Sequence, residues 1–270
     1  MSRAVDASPE TLLQAVTDVA RAAGDAALAH FGRLRAGDVE TKGDGSPVTV
    51  ADREAETVAR ELVARLFPDD GVVGEEFGAT GLAARRRWVI DPIDGTKSFV
   101  RGVPLWTTLV GVAEGDRVVA GAIYAPAVSE IVAAAAGTGA WWNGARCRVS
   151  DQQQLSAATV LTTDTEFMHA PPGERAARRA GWERVAGRAA VVRTWGDGYG
   201  YLLVATGRAD VMCDAVMNVW DTAALGPVVR EAGGVFTDWD GAPTELGASA
   251  VATNSALARE VRDILRNAPA

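Results

Sequence analysis

The sequence predicts a layered α/β protein, and two observations carry that prediction. From Val72 to Val149, short apolar runs alternate with turn signals and no helical spacing intervenes, which marks a meandering antiparallel sheet. After Ser150 the rhythm changes to strands alternating with helices, which marks a layered α/β half. A third observation places the chemistry. Acids stand directly after apolar runs in Gly74-Glu75-Glu76, in Trp88-Val89-Ile90-Asp91-Pro92-Ile93-Asp94 and in Trp220-Asp221, where a strand ends and a turn or helix begins.

Ser8-Pro9-Glu10 opens the first helix with a cap, a proline in the first turn and an acid facing the dipole. Leu12, Val16, Val19, Ala23, Ala26, Ala27 and Phe31 follow at helical spacing, and Gly32 ends the run. Thr41 to Pro47 is polar and glycine-rich, a loop or loose hairpin. A second helix is expected from about Thr49 to Phe67, with Asp52 in its first turn, and Pro68-Asp69-Asp70-Gly71 stops it. Strands are expected at Val72-Val73, at Trp88–Ile90, and at Thr107–Ala113 and Arg117–Tyr124 joined by Glu114-Gly115-Asp116. Ile131–Ala136 and Ala140–Trp142 follow, and Asn143-Gly144 is a type I′ turn signal into Arg146–Val149.

In the second half, strands are expected at Ala158–Thr163, Ala190–Thr194, Ala209–Asp214, Val235-Phe236 and Ala250–Thr253. Helices are expected at Gly173–Ala186, Tyr199–Thr206, Asp221–Ala232 (capped by Asp221 and ended by Gly233-Gly234) and from about Ser255 onward. Residues 1–150 thus form an α+β half that carries the acidic motifs, and residues 151–270 an α/β half. No repeat or flexible linker separates them, so the two are expected to make one compact unit with a cleft between.

Composition narrows the function classes. At 270 residues, 48% hydrophobic and 23% charged, the chain has the make-up of an ordinary globular protein. A net charge of −8 argues against non-specific binding to nucleic acid or anionic membrane, which needs a basic face. The two cysteines, Cys147 and Cys213, make no disulfide framework and no zinc pattern. Met1-Ser2-Arg3-Ala4-Val5-Asp6 lacks a signal-peptide core, and no apolar run is long enough to span a bilayer. A cytoplasmic enzyme is the expectation.

The acids explain why. Like-charged carboxylates in one cleft repel unless a hard cation such as Mg²⁺ neutralises them. Pro92 cannot donate to a sheet ladder, so the strand is expected to break there, letting Asp91 and Asp94 turn to one point with the Ile93 carbonyl between them. Gly95 lets the backbone approach a ligand, and the N–H groups of Gly95 and Thr96 are placed to meet phosphate oxygens. The rival reading of this segment is a plain turn, and Asp52 and Asp221 taken singly read as helix-cap acids. Taken together, acids at several element ends favour metal. His30 and His169 read as surface residues rather than nucleophiles, and no Gly-x-Ser-x-Gly or cysteine nucleophile motif is present.

Gly74-Glu75-Glu76, the Trp88–Thr96 stretch and Trp220-Asp221 with Glu231-Ala232-Gly233-Gly234 resemble the inositol monophosphatase family of Mg²⁺-dependent phosphatases, over essentially the whole chain. The resemblance implies an alternating αβαβα sandwich, a homodimer, lithium sensitivity and two or three Mg²⁺ ions per site. By the same resemblance Glu75, Asp91, the Ile93 carbonyl, Asp94 and Asp221 are metal ligands, and Asp52 serves a further, weaker metal and its water. Thr96 with Glu75 orients the attacking water, Gly95 and Thr96 cradle phosphate, and Asp214 is the substrate-binding acid. The implied reaction is phosphate monoester hydrolysis by metal-activated water, with no phosphoenzyme.

Substrate choice turns on departures from the family pattern. Trp195-Gly196-Asp197 stands where inositol-specific members usually have a small triplet, and Lys97 stands where many have threonine. Asp197 and Asp214 would put two carboxylates beside the leaving group, which suits an ammonium or imidazolium and not a polyol. With Phe99 to Trp106 and Gly74 to Gly78, these residues resemble the histidinol-phosphate phosphatase branch. The rivals are a phosphatase for inositol or another sugar phosphate, one for adenosine 3′,5′-bisphosphate with Arg101 as its candidate basic residue, and an inactive regulatory protein on the same fold. Asp197 reads equally as a helix N-cap.

Overall fold

The computed structural model describes residues 7–34, 36–43, 45, 47–167 and 169–266. The expectation drawn from Met1 to Asp6, and the part of the polar segment at Asp44 and Ser46, lie outside the described residues.

Helix α1 (Pro9–Leu28) begins as expected, with the Ser8 hydroxyl accepting from the Thr11 N–H. It stops earlier than the apolar spacing suggests. His30 and Phe31 donate their N–H groups only three residues back, a tightening that ends the α-helical ladder, and Gly32 follows at φ +72°. The polar segment is the expected hairpin, β1 (Val39–Thr41) against β2 (Pro47–Thr49). Helix α2 (Val50–Leu66) is started by a capping box in which Thr49 and Asp52 serve each other's backbone.

An eight-stranded sheet follows, built from β3 (Gly71–Gly74), β4 (Gly78–Thr80), β5 (Arg86–Asp94), β6 (Thr107–Glu114), β7 (Arg117–Ala125), β8 (Glu130–Ala135), β9 (Gly139–Trp142) and β10 (Ala145–Arg146), with the short helix α3 (Thr96–Phe99) after β5. Its spatial order is β10-β9-β8-β7-β6-β5-β3-β4, antiparallel except where β3 runs parallel to β5. Strand β4 had no signal in the sequence, and β10 is shorter than expected. The Asn143-Gly144 turn has φ +48° and +82° at its two residues, as a type I′ turn requires.

The second sheet is five-stranded, in the order β12-β11-β13-β15-β14. Its strands are β11 (Thr159–Leu161), β12 (Val191–Arg193), β13 (Val211–Asp214), β14 (Val235–Thr237) and β15 (Ala250–Thr253). The helices of this half are α4 (Pro172–Ala186), α5 (Asp197–Ala205), α6 (Val219–Thr222), α7 (Leu225–Glu231) and α8 (Ala258–Arg266).

Strand parity sorts the core into layers. On β6, Val110 and Val112 pack under α1 and α2, whereas Leu109 faces α5 and α7; Ala122 and Ile123 on β7 divide the same way. On β13, Met212 faces α5 and α7, whereas Val211 and Cys213 face Trp182 of α4 and Leu265 of α8. The stack is therefore α1/α2, large sheet, α5/α7, small sheet, α4/α8: the alternating αβαβα arrangement expected. Both cysteines are free, as expected. Among the described residues no helix is long and apolar enough to cross a membrane.

Two expected elements need correction. Strand β5 does not end at Pro92 but runs on to Asp94 across a register shift between Asp91 and Asp94, where the missing proline N–H is tolerated. The single helix expected over Asp221–Ala232 is two, because Pro227 has no N–H to return to the Ala223 carbonyl. Nor does Asp221 cap it. Asn218 is the cap, and Asp221 is the third helical residue, its carboxylate accepting the Asn218 N–H at 2.6 Å. This helical pair lies close on β7, since a Cβ at Gly121 would come within 2.3 Å of the Ala224 carbonyl oxygen.

Candidate active site

The β5 irregularity aims two acids. Asp91 Oδ1 accepts the Ile93 N–H at 3.0 Å, and Asp94 Oδ2 accepts from the Gly198 N–H at the start of α5 and from Thr107 Oγ1 at 3.3 Å. Gly95 then turns the chain at φ +88°, a conformation that only glycine adopts freely, and α3 starts at Thr96. The Thr96 hydroxyl donates to the Ile93 carbonyl at 2.9 Å. Its hydrogen is thereby used, and its oxygen is left to accept from a neighbouring water.

Asp221 reaches the same point from α6. Carboxylate oxygens of Asp91, Asp94 and Asp221 lie within 4.8 Å of one another. Burial first, and then the charges of Glu75, Asp94 and Asp221, push Asp91 well above the usual carboxylate range. Burial, followed by Asp197 and Asp221, does the same to Asp94. Burial raises Asp221 to about 6, against the lowering effect of its bond from Asn218. Three acids, Asp91 buried and Asp94 and Asp221 half-buried, that resist shared ionisation, all oxygen donors, with the Ile93 carbonyl between two of them, suit a hard divalent cation.

The structure does not bring every expected ligand into that group. Among the described residues, Glu75 and Asp52 stand outside the 4.8 Å cluster. Glu75 follows β3, close enough to act on Asp91 and Asp221, but its Oε1 accepts from Lys42 Nζ at 2.6 Å, as does Glu76 Oε1. Asp52 sits behind them, 1% exposed, with Oδ2 taken by the Thr49 N–H and hydroxyl. Burial lifts it to about 6 against those bonds, helped by Glu76 and Glu75. Lys42 was not singled out by the sequence; a lone lysine in a polar loop carries no signal until the hairpin folds over the acids.

Asp197 and Asp214 lie on the other side. Asp214, buried at the end of β13, accepts from the Thr163 N–H at 2.9 Å and the Tyr201 hydroxyl at 3.0 Å. Asp197 is the first residue of α5 and Gly196 holds the cap position, so Asp197 is not the cap residue that the sequence also allowed. Its φ is +52°, and its carboxylate lies over Gly95, where a Cβ would come within 2.8 Å of Oδ2. No hydrogen bond to that carboxylate forms among the described residues. Burial, then Asp214 and Asp221, raises it to about 7, with Lys97 opposing. A left-handed backbone at Asp197, and a half-buried carboxylate that faces the cavity without a hydrogen-bond donor, are typical of a site made for a ligand.

These residues line a cavity of about 460 Å³ that includes Asp94, Asp164, Asp197, Asp214 and Asp221, with Phe167 and Met217 as apolar wall. Lys97 and His169, whose Nζ and Nε2 lie 3.4 Å apart, stand at its rim. His169 is thus exposed as expected, yet it borders the site. A second cavity adjoins it over Gly95, Thr96 and Ser98 and shares Lys97, Asp197 and Asp221.

The family model described as inositol monophosphatase family matches residues 8–268. This chain belongs to that family. A histidinol-phosphatase of Chlorobaculum parvum is 41% identical over 250 residues, covering 92% of this chain and 94% of the relative. One of Mycobacterium tuberculosis is 40% identical, covering 83% and 86%. An inositol-1-monophosphatase of Rhizobium meliloti is 32% identical over 94% of the chain and 96% of the relative. Among solved structures, the extragenic suppressor protein suhB of Bartonella henselae superposes with a TM-score of 0.86 at 27% identity, covering 96% and 99%.

Proposed function

We propose that this phosphatase hydrolyses L-histidinol phosphate to L-histidinol and phosphate. The observation that carries the reading is the acidic lining of the leaving-group side, above all the unpartnered carboxylate of Asp197 beside Asp214. Histidinol carries an amine and an imidazole; a cation there would draw Asp197 and Asp214 into ionised, hydrogen-bonded pairs. A polyol would leave that charge uncompensated. The histidinol-phosphatase names of relatives at 38–41% identity support the same choice over inositol phosphate.

Asp91, Asp94, Asp221 and the Ile93 carbonyl would hold Mg²⁺, with Glu75 and Asp52 serving a second or third ion. Bound there, Mg²⁺ would lower the pKa of a water and neutralise phosphoryl charge. Thr96 Oγ1, whose hydrogen is given to the Ile93 carbonyl, and the Glu75 carboxylate would serve as the acceptors that orient the attacking water. The N–H groups at Gly95 and Thr96, where α3 begins, bind phosphoryl oxygens. Asp197 and Asp214 grip the leaving group. Both halves of the chain supply groups, so 1–150 and 151–270 act as one catalytic unit. A cytoplasmic homodimer accords with this reading, and sedimentation equilibrium tests the assembly.

The experiment is phosphate release from histidinol phosphate, inositol phosphate and adenosine 3′,5′-bisphosphate at fixed Mg²⁺. The proposal requires histidinol phosphate to give the highest kcat/KM. A higher value for inositol phosphate transfers the site to the sugar-phosphate reading.

A further inference from the structure

We propose that Glu56 is a positioning residue, which sets the direction in which the Gly74-Glu75-Glu76 turn presents the Glu75 carboxylate. The inference rests on the reading of Glu75 as a metal- and water-holding group.

Glu56 lies in α2 one turn beyond Asp52 and one turn before Arg60, so the three side chains share a helix face. It is 0% exposed. Its Oε2 accepts the Glu76 N–H at 2.6 Å, and its Oε1 accepts the Phe77 N–H at 3.2 Å and Arg60 Nε at 2.7 Å. Arg60 continues the clamp, donating to the Gly78 carbonyl and, at 3.4 Å, to Thr80 Oγ1. The turn that carries Glu75 is thus bound through the backbone on its far side. Its own N–H makes only a 3.3 Å bond to the Ile90 carbonyl. The chain is drawn so tightly onto Glu56 that a Cβ at Gly74 would fall 2.0 Å from Oε1.

A carboxylate is an expensive choice at this spot. Glu56 adds negative charge beside Glu76, and it is among the causes that raise the Glu76 pKa, after burial and Glu75. A neutral acceptor would stitch an ordinary turn without that repulsion. Two acceptor oxygens are needed here, because two backbone N–H groups and a guanidinium converge on one side chain. Glutamine has one acceptor oxygen, and its NH₂ would face an N–H. The charged form also makes stronger bonds to backbone N–H groups. What the cost provides is a rigid turn, with Glu75 held between Lys42 and the Asp91–Asp221 pair and not free to rotate.

The test is calorimetric titration of Mg²⁺ into the chelator-stripped full chain, comparing wild type, Glu56→Gln and Glu75→Gln, with kcat and KM measured across Mg²⁺ concentration. Loss of a group that orients a metal ligand weakens affinity by about 10–100-fold. The expected result for Glu56→Gln is a loss in that range, a lower kcat that excess Mg²⁺ largely restores, and little change in the KM for substrate. Wild-type Mg²⁺ affinity in Glu56→Gln, with a lowered Tm alone, overturns the inference and makes Glu56 merely structural. If Glu56→Gln does not fold, Arg60→Gln keeps the Glu56 bonds to the turn but removes their support. A smaller loss of Mg²⁺ affinity there supports the inference, and none overturns it. Glu75→Gln separates the two readings. Unchanged Mg²⁺ affinity in that variant removes Glu75 from the metal set and takes the inference with it. Weakened affinity in Glu75→Gln with none lost in Glu56→Gln overturns the Glu56 role alone.

Discussion

Asp94→Asn should change stability in opposite directions depending on Mg²⁺. Asp94 has a carboxylate oxygen within 4.8 Å of oxygens on both Asp91 and Asp221. Two full charges at that separation repel by about 3.5 kcal/mol at an effective dielectric constant of about 20. Burial and mutual repulsion push all three acids upward, so full ionisation is resisted and the relief on neutralising one is a fraction of that, about 1–3 kcal/mol. The asparagine carbonyl can still accept from the Gly198 N–H, so the local fold survives. In chelator the variant should therefore melt higher than wild type, by roughly 2–10 °C for a chain of this size. With Mg²⁺ the order should reverse, since wild type gains binding energy that the variant has lost. Turnover should vanish. The assay is thermal melting by circular dichroism in chelator and in excess Mg²⁺. An Asp94→Asn protein that melts lower in chelator and keeps the full Mg²⁺ shift would refute the reasoning.

Asp197→Asn should lower kcat/KM for histidinol phosphate by roughly 100-fold, about 2.7 kcal/mol, and for a sugar phosphate far less, as expected for one lost partner of a charge pair; equal losses on both would make Asp197 a structural residue. Metal-free stability should fall as pH rises from about 4 towards 7. Asp52 and Asp221 at about 6 and Asp197 at about 7 all stand above the unfolded value of 3.8. The folded chain then holds more protons than the unfolded one, so this part of the stability is fully present below pH 3.8 and is lost through the folded pKa values. Mg²⁺ should flatten the profile, and a metal-free profile that rises over this range would contradict the burial assigned to these acids. Gly121→Ala should destabilise by about 1–3 kcal/mol, because its methyl meets the Ala224 backbone and not a mobile side chain. By lifting the helical pair that carries Asp221 it should also weaken the Mg²⁺ shift; an unaltered shift would mean that Asp221 is placed independently of that contact.

Local chemistry explains what the sequence revealed and what it hid. Ser8-Pro9 and the Thr49/Asp52 box start helices by interactions within four residues, and Asn143-Gly144 fixes its turn alone. Asp91, Asp94 and Asp221 were legible because each follows an apolar run at an element end. The break at Ala223-Ala224 has its signal four residues on, in Pro227, which the reading of one helix over Asp221–Ala232 did not use. Lys42, Glu56 and Thr163 were not legible. Each acts on a partner at least 20 residues away: Lys42 on Glu75, Glu56 on the Glu76 N–H, Thr163 through its N–H on Asp214. Asp197 was picked out as an acid, but its unpartnered state depends on Gly196 taking the cap position, which no composition signal separates from a cap at Asp197.

The most direct test of the whole reading is anomalous diffraction from crystals grown with Mn²⁺ in place of Mg²⁺. An anomalous peak bridging carboxylate oxygens of Asp91, Asp94 and Asp221, with the Ile93 carbonyl in its shell, is the predicted result. Full Mn²⁺ occupancy elsewhere in the molecule, with those three side chains left without a peak between them, would contradict it.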